Sequence, residues 1–324
     1  MPKTASLHHQ KPTPTWLYWL HRKLFCWTNG LWNDTLTKII QKKRPKVPID
    51  PINSVLCQNP LNNVEDIIHR IHQDGYYVFS QTLPDQVIET ITTYTLSTPV
   101  RYAIQTKEGA QLSDHKIAFA KAEDIDSPRF QMDTNDIFAC PELVTLIFDP
   151  FLLHIAQEYL GSRPILDLIS LWWSKPEKQQ RLQNFAAQQY HFDMDRIKFL
   201  KFFFYLTDVT PETGPHCYVR GSHRNLAPNF RKDQRFDDQN VKRTYGDDNI
   251  ITLCKPKGTM MAIDTRGLHK GMPLSTGHRL IFQIEFANSM FGQNYDKVPI
   301  SQISPDIALQ VYKNPFTYSA VFKK

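Results

Sequence analysis

Residues 279–287 read RLIFQIEFA. On an extended chain Leu280, Phe282, Ile284 and Phe286 point one way and Arg279, Gln283 and Glu285 the other, the period of two that a strand imposes. The apolar side has the bulk of a core face. The opposite side turns an arginine, an amide and a carboxylate toward the interior of a β domain, which is costly unless they line a polar cavity. The stretch sets two expectations together: a β fold, and chemistry on the polar face of its last strand.

Further strand patterns precede it: ILDLISLWWS (165–174), AQQYHFD (187–193), FLKFFFYLTD (199–208), HCYVR (216–220) and GTMMAID (258–264), separated by Pro, Gly, Asn and Asp. Helical spacing dominates earlier. Val64, Ile67, Ile68 and Ile71 repeat before Gly75, a stop signal. Pro84 opens a second helix with Val87, Ile88, Ile91 and Tyr94 inward, and Phe151, Leu152, Ile155 and Leu160 mark a third that Gly161 closes. Residues 95–140 give no clear pattern. Short strands after a helical segment predict a mainly β domain, an antiparallel sandwich or barrel flanked by helices.

The chain has 324 residues, 41% apolar and 22% charged, enough to bury a large core. Cys26, Cys57, Cys140, Cys217 and Cys254 form no close pair and no CxxC, so neither a disulfide framework nor a zinc knuckle is indicated. A reducing cytoplasm suits them. The net charge of +6 gathers at Lys38, Lys42, Lys43, Arg44 and Lys46, too narrow a face to expect nucleic acid. No stretch approaches the ~18–20 apolar residues of a membrane span, and no signal peptide is expected. Residues 1–60 are expected to form an aromatic, basic arm and linker, and 61–324 the β domain. WLYWLHRKLFCWTNGLW (16–32) holds four of the six tryptophans, and Trp16, Leu20, Leu24 and Trp27 share a helical face. Such a helix packs on the protein's own body, contacts a partner or, across residues 16–46, contacts the inner membrane surface.

In QYHFDMDRIKFL (189–200) His191, Asp193 and Asp195 fall at alternate positions. On a strand, residues two apart have Cα atoms about 6.5–7 Å apart, so His191 and Asp193 can reach one metal, while Asp195, about 13 Å from His191, cannot easily join. A distant histidine would complete a two-histidine, one-carboxylate triad with open positions for Fe(II) chemistry. His216, His223, His269 and His278 are the candidates. His269 lies between a strand and KGMPLSTG, ten residues before Arg279, and His216 rivals it.

Together DGYYVF (74–79), His191-Phe-Asp193, YLTDVTPETGP with VRGSHR, and GTMMAIDTRGLHKG followed by Arg279 resemble the phytanoyl-CoA dioxygenase family of Fe(II)/2-oxoglutarate oxygenases, across about residues 63–290. The resemblance implies a double-stranded β-helix, a cupin-like jelly roll, with iron held by His191, Asp193 and His269. It also implies that Arg279 grips the distal carboxylate of the cosubstrate 2-oxoglutarate, with Trp173 and Phe203 walling it and O2 as the oxidant. A planar, permanently charged fork suits that carboxylate. Two residues depart from the family pattern: Arg220 replaces a usual turn proline, and Gly271 stands where a hydroxyl residue often follows the distal histidine.

The expected reaction is hydroxylation of an unactivated carbon of a small or lipid-linked substrate, with release of succinate and CO2. Asp195, Arg196 and Gln283 are substrate-pocket candidates, and Arg196, Lys198, Lys201, Arg266 and Lys270 would suit an anionic substrate. The rivals are a non-catalytic jelly-roll binding module and a hydrolase using Asp193 and Asp195 as an acid–base pair.

Overall fold

In a computed structural model, residues 13–51, 54–56, 64–107, 109–179, 182 and 186–323 are described. In chain order the main strands are β1 (Tyr76–Thr82), β2 (Pro99–Thr106), β3 (Gly109–Ala118), β4 (Phe130–Gln131), β5 (Ile165–Ser174), β6 (Phe199–Tyr205), β7 (His216–Val219), β8 (Ile250–Leu253), β9 (Thr259–Ile263), β10 (His269–Gly271) and β11 (Arg279–Ala287). Eight of them form an antiparallel sheet in the order β1-β9-β6-β11-β5-β4-β2-β3, and β10-β7-β8 form a second.

RLIFQIEFA becomes β11, near the middle of the large sheet between β6 and β5. Its alternation is obeyed. Leu280, Phe282, Ile284 and Phe286 join the largest buried cluster, with residues from the helices α3 (Val64–Asp74), α4 (Asp85–Ser97), α5 (Thr134–Phe138), α6 (Pro141–Ile147) and α7 (Pro150–Leu160). Ile281 instead faces the small sheet, in a cluster with Phe203, Tyr205, Met261, Tyr218 and Leu253. The result is a jelly roll: two sheets enclose a space, and helices cover the outer face of the larger.

Two connections hold that space in place. Gly75 ends α3 with φ +90°, and a Cβ there would stand 2.1 Å from the hydroxyl of Tyr218. Only glycine allows both the turn and the close approach. Its carbonyl then accepts from the amide of Asp264 (2.8 Å), tying the start of β1 to the end of β9. Asp149 caps α7 by accepting from the amides of Phe151 and Leu152. The run Pro141–Leu160 is long and apolar enough to cross a membrane by composition. Here it is broken at Asp149 into α6 and α7 and mostly buried.

The N-terminal segment packs on the body. Two helices, α1 (Thr15–Thr28) and α2 (Leu31–Lys43), dock through His21, Phe25, Cys26, Asn33 and Thr37. The amide of Asn33 donates to the carbonyl of Ile197 (2.8 Å) and the hydroxyl of Tyr18 to that of Met194 (3.1 Å). The expected boundary at residue 60 lies outside the described residues. Residues 95–140, where no pattern was legible, supply β2, β3 and β4 and widen the sheet beyond its smaller partner.

Candidate metal centre

His191 does not lie on a regular strand. It makes an isolated bridge to His269, each amide donating to the other's carbonyl (3.0 and 2.8 Å). The amide of Asp193 donates to the carbonyl of Thr265 (2.7 Å). Three backbone hydrogen bonds therefore hold the segment against β10 and the loop before it. Phe192, between the two candidate ligands, turns the other way into a cluster with Met194 and Phe25, its ring 5.5 Å from that of Phe25.

The side chains of His191, Asp193 and His269 offer three ligand atoms all within 4.8 Å of one another. Nε2 of His191 is 3.6 Å from one Asp193 oxygen and Nε2 of His269 is 3.6 Å from the other. Ligands at about 2.1 Å in adjacent octahedral positions stand about 3 Å apart, so an ion fits with a small closing movement. The tautomers suit it as well. Nδ1 of His191 faces the carbonyl of Gln189 and Nδ1 of His269 that of Gly267, both at 2.9 Å. A carbonyl only accepts, so each Nδ1 carries the proton and each Nε2 presents a lone pair to the centre. Burial lowers the pKa of His191 to about 4 and that of His269 to about 3, which keeps both imidazoles neutral.

Asp193 is governed by Lys201, a residue read from sequence only as a cation beside the site. Its ammonium donates to Asp193 (2.7 Å) and Asp195 (2.9 Å) and lies 3.4 Å from Glu285. Burial alone would raise the Asp193 pKa. The ammonium of Lys201 outweighs it, holding the carboxylate well below its ordinary range. Burial likewise opposes the charge on Lys201, and the three carboxyl groups more than restore it. Glu285 is pushed well above the usual range by burial, against the pull of Lys201.

Other candidates separate by face. Across the large sheet Ser170, Gln283, Phe203 and Met261 stand opposite one another, as do Trp172, Ile281 and Tyr205. Phe203 and Gln283 thus line the inner face, and Phe203 lies 5.4 Å from the ring of His216. Trp173 does not reach it. It stacks on Phe119 (4.5 Å, 4° between planes) in the helix-covered core, and its neighbour Trp172 faces inward. A correction also applies to Asp195: the chain bends after Met194 instead of continuing as a strand, so its carboxylate shares Lys201 with Asp193. Arg196 is spent on a bidentate pair with Asp167 (2.6 and 2.7 Å). Lys198 donates to the carbonyl of Tyr159, Arg266 is clamped on Asp264, and Lys270 pairs with Asp238. The five cations read as suiting an anionic substrate are thus occupied internally.

Arg279 is not. It is 6% exposed, and Nε and Nη1 have no partner among the described residues; nor has Nε2 of His216, whose ring stacks on His269 at 5.4 Å. A Cβ on Gly271 would lie 3.7 Å from Nη2 of Arg279, so that glycine borders the same space. Buried donors left open beside a metal triad are what a bound dicarboxylate would satisfy. His216, missed as a member of this wall, had its signal in the inward parity of HCYV.

The Phytanoyl-CoA dioxygenase (PhyH) family model matches residues 71–281. Among solved structures the chain is similar to HygX from Streptomyces hygroscopicus with nickel and 2-oxoglutarate bound, at 15% identity and TM-score 0.50, covering 73% of this chain and 91% of that one. EctD from S. alaskensis with bound Fe aligns at 17% identity and TM-score 0.48, over 75% and 82%. The carbocyclase SnoK from nogalamycin biosynthesis aligns at 16% and 0.47, over 74% and 87%. No curated protein matches. The family match spans all three residues of the triad, and the chain belongs to the phytanoyl-CoA dioxygenase family of Fe(II)- and 2-oxoglutarate-dependent oxygenases.

Proposed function

We propose that this chain hydroxylates an unactivated carbon of a small or lipid-linked substrate, using O2 and 2-oxoglutarate at an Fe(II) held by His191, Asp193 and His269. The observation that carries the reading is the cluster of three ligand atoms within 4.8 Å, set beside an arginine whose buried donors have no partner among the described residues. When bound, iron and 2-oxoglutarate supply the oxidation of a carbon–hydrogen bond, the cosubstrate leaving as succinate and CO2.

The protein's own part is binding, orientation and exclusion. The two histidines present neutral Nε2 atoms because their Nδ1 protons are committed to backbone carbonyls. Lys201 keeps Asp193 ionised and fixes its rotamer. Arg279 anchors the distal carboxylate of 2-oxoglutarate, and Gly271 leaves room beside the guanidinium. Phe203, Ile281 and Trp172 form an apolar wall that keeps bulk water from the reacting carbon.

The hydrolase reading is disfavoured by the same geometry. A general acid needs a carboxyl group that holds its proton near neutral pH, and Asp193 is driven the opposite way. A binding module without chemistry has no use for two tautomer-fixed histidines around an ionised carboxylate.

Residues 61–324 carry the chemistry in this reading, and residues 1–60 bring it to the inner membrane surface. Support comes from the helix Thr15–Thr28, where Trp16, Trp19 and Trp27 are 67%, 59% and 81% exposed on a face shared with Leu20 and Lys23.

Anaerobic loading with Fe(II), followed by 2-oxoglutarate and then O2, tests the catalytic reading. One Fe(II) per chain and formation of succinate are expected. His191→Ala, Asp193→Ala and His269→Ala lose the metal, whereas Arg279→Gln keeps the metal and loses the cosubstrate. Unchanged metal and 2-oxoglutarate binding in those variants overturns the assignment.

A further inference from the structure

A second arginine, half-buried, faces the interior with its charge unmatched. Arg129 sits at the entry to β4, in the part of the sheet that extends past the small one. Its Nε and Nη2 donate to Oε1 of Gln131 (3.1 and 2.7 Å), and the guanidinium lies 4.3 Å above the ring of Trp172. Gln131 cannot present its amide the other way. Its Nε2 donates to the hydroxyl of Ser170 (2.9 Å) and the carbonyl of Leu171 (3.2 Å). An amide below and an indole face alongside orient the guanidinium without neutralising it.

Among the described residues no carboxylate pairs with Arg129. It lines a cleft of about 840 Å³ that also carries Asp133, Asp167 and Asp296, the first two committed to other arginines. Asp133 pairs with Arg101 (3.1 Å) and Asp167 with Arg196 (2.6 Å). Burial, with Arg279 nearby, pulls the Arg129 pKa down to about 10, so the positive charge is held at a cost that a bound anion would relieve. Arg129 stands on the side of the sheet that faces the metal centre, because Trp172 under its guanidinium clusters with Phe203, and Ser170 shares a row with Gln283 and Phe203.

We propose that Arg129, held by Gln131 and Trp172, is a specificity-determining residue that binds an oxyanion, carboxylate or phosphate, on the substrate, separately from the 2-oxoglutarate site at Arg279. This deepens the oxygenase reading and rests on it for the term substrate. The anionic class returns, but through a residue other than the five cations that suggested it in the sequence.

The test uses the full chain loaded with Ni(II) and saturating 2-oxoglutarate, so that Arg279 is occupied and no turnover occurs. Calorimetric titration with inorganic phosphate and, separately, propionate is expected to show one oxyanion site per chain; the tighter probe identifies which oxyanion it prefers. Arg129→Gln weakens that site about tenfold or more and leaves 2-oxoglutarate affinity unchanged. Gln131→Glu neutralises the guanidinium in place and abolishes probe binding in a chain that keeps its arginine packing. Probe binding that survives Gln131→Glu, absence of probe binding by the parent, or loss of 2-oxoglutarate affinity in Arg129→Gln overturns the proposal. A parent that binds the oxyanion but neither Ni(II) nor 2-oxoglutarate sinks the oxygenase reading and leaves the Arg129 site standing.

Discussion

Lys201 shows how much of the centre depends on one residue that does not touch the metal position. Its 7% exposed ammonium serves Asp193, Asp195 and Glu285 together. Removing one partner of a buried ion pair leaves charge uncompensated, at about 3–5 kcal/mol. Lys201→Met is therefore expected to lower the urea unfolding free energy by that order, and a loss below about 1 kcal/mol would show that solvent screens the cluster. Metal affinity should fall with it, because Asp193 loses the charge that keeps it ionised. The candidate ligands were legible, since His191 and Asp193 stand two apart and Arg279 opens a strand of clear parity. Lys201 was not, because three consecutive phenylalanines follow it in KFFFY and leave no alternation to read. Trp173 failed for a related reason. In ISLWWS two adjacent tryptophans carry no parity of their own, and the signal lay in Ser170 and Ser174, which share a face with Trp172.

At the scale of elements, strong periodicity carried through and weak periodicity did not. The helices 64–74 and 150–160 and the strand RLIFQIEFA form where spacing placed them. β2 and β3 were hidden because PVRYAIQT and GAQLSDHKIA mix apolar, polar and charged residues without a clean period of two, and their pairing is interrupted between Arg101 and Ala103. AQQYHFD was read as a strand because its alternation reflects ligand geometry and not a ladder. The first helix supplies a pH prediction. His21 is 3% exposed, accepts from the indole of Trp32 through Nδ1 (3.1 Å) and has its pKa lowered to about 4 by burial. An unfolded histidine takes its proton near pH 6.5, the folded one only near 4. The unfolded state therefore binds more protons in that window, so stability is full above about pH 6.5 and is lost as pH falls toward 4. The linked loss is about 3 kcal/mol. Unfolding midpoints measured from pH 7 to 4 should decline more steeply for the parent than for His21→Phe, and parallel curves would exclude this histidine as the source.

The whole molecule sets its two candidate surfaces at a purposeful relation. The first N-terminal helix buries Phe25 and Cys26 against Phe192 and Met194, the residues that alternate with the candidate ligands His191 and Asp193. The face of the first helix that carries Trp16, Trp19 and Trp27 points outward. Docking on the body and contact with a membrane, set as rivals by the sequence, use opposite sides of one helix and are compatible. Deleting the segment would strip cover from Phe192 and confuse the two roles, so point variants are the proper test. Trp16→Ser, Trp19→Ser and Trp27→Ser combined remove exposed aromatic area and leave His21, Phe25 and Cys26 in place. The parent chain is expected to float with phosphatidylserine-rich vesicles, more weakly as salt screens Lys23, Lys38, Lys42 and Lys43, and not with neutral ones. The triple variant should remain in the pellet fraction with unchanged Ni(II) binding. Equal flotation of variant and parent, or none by the parent, would leave those tryptophans to a protein partner and detach the lipid surface from the function proposed for the site.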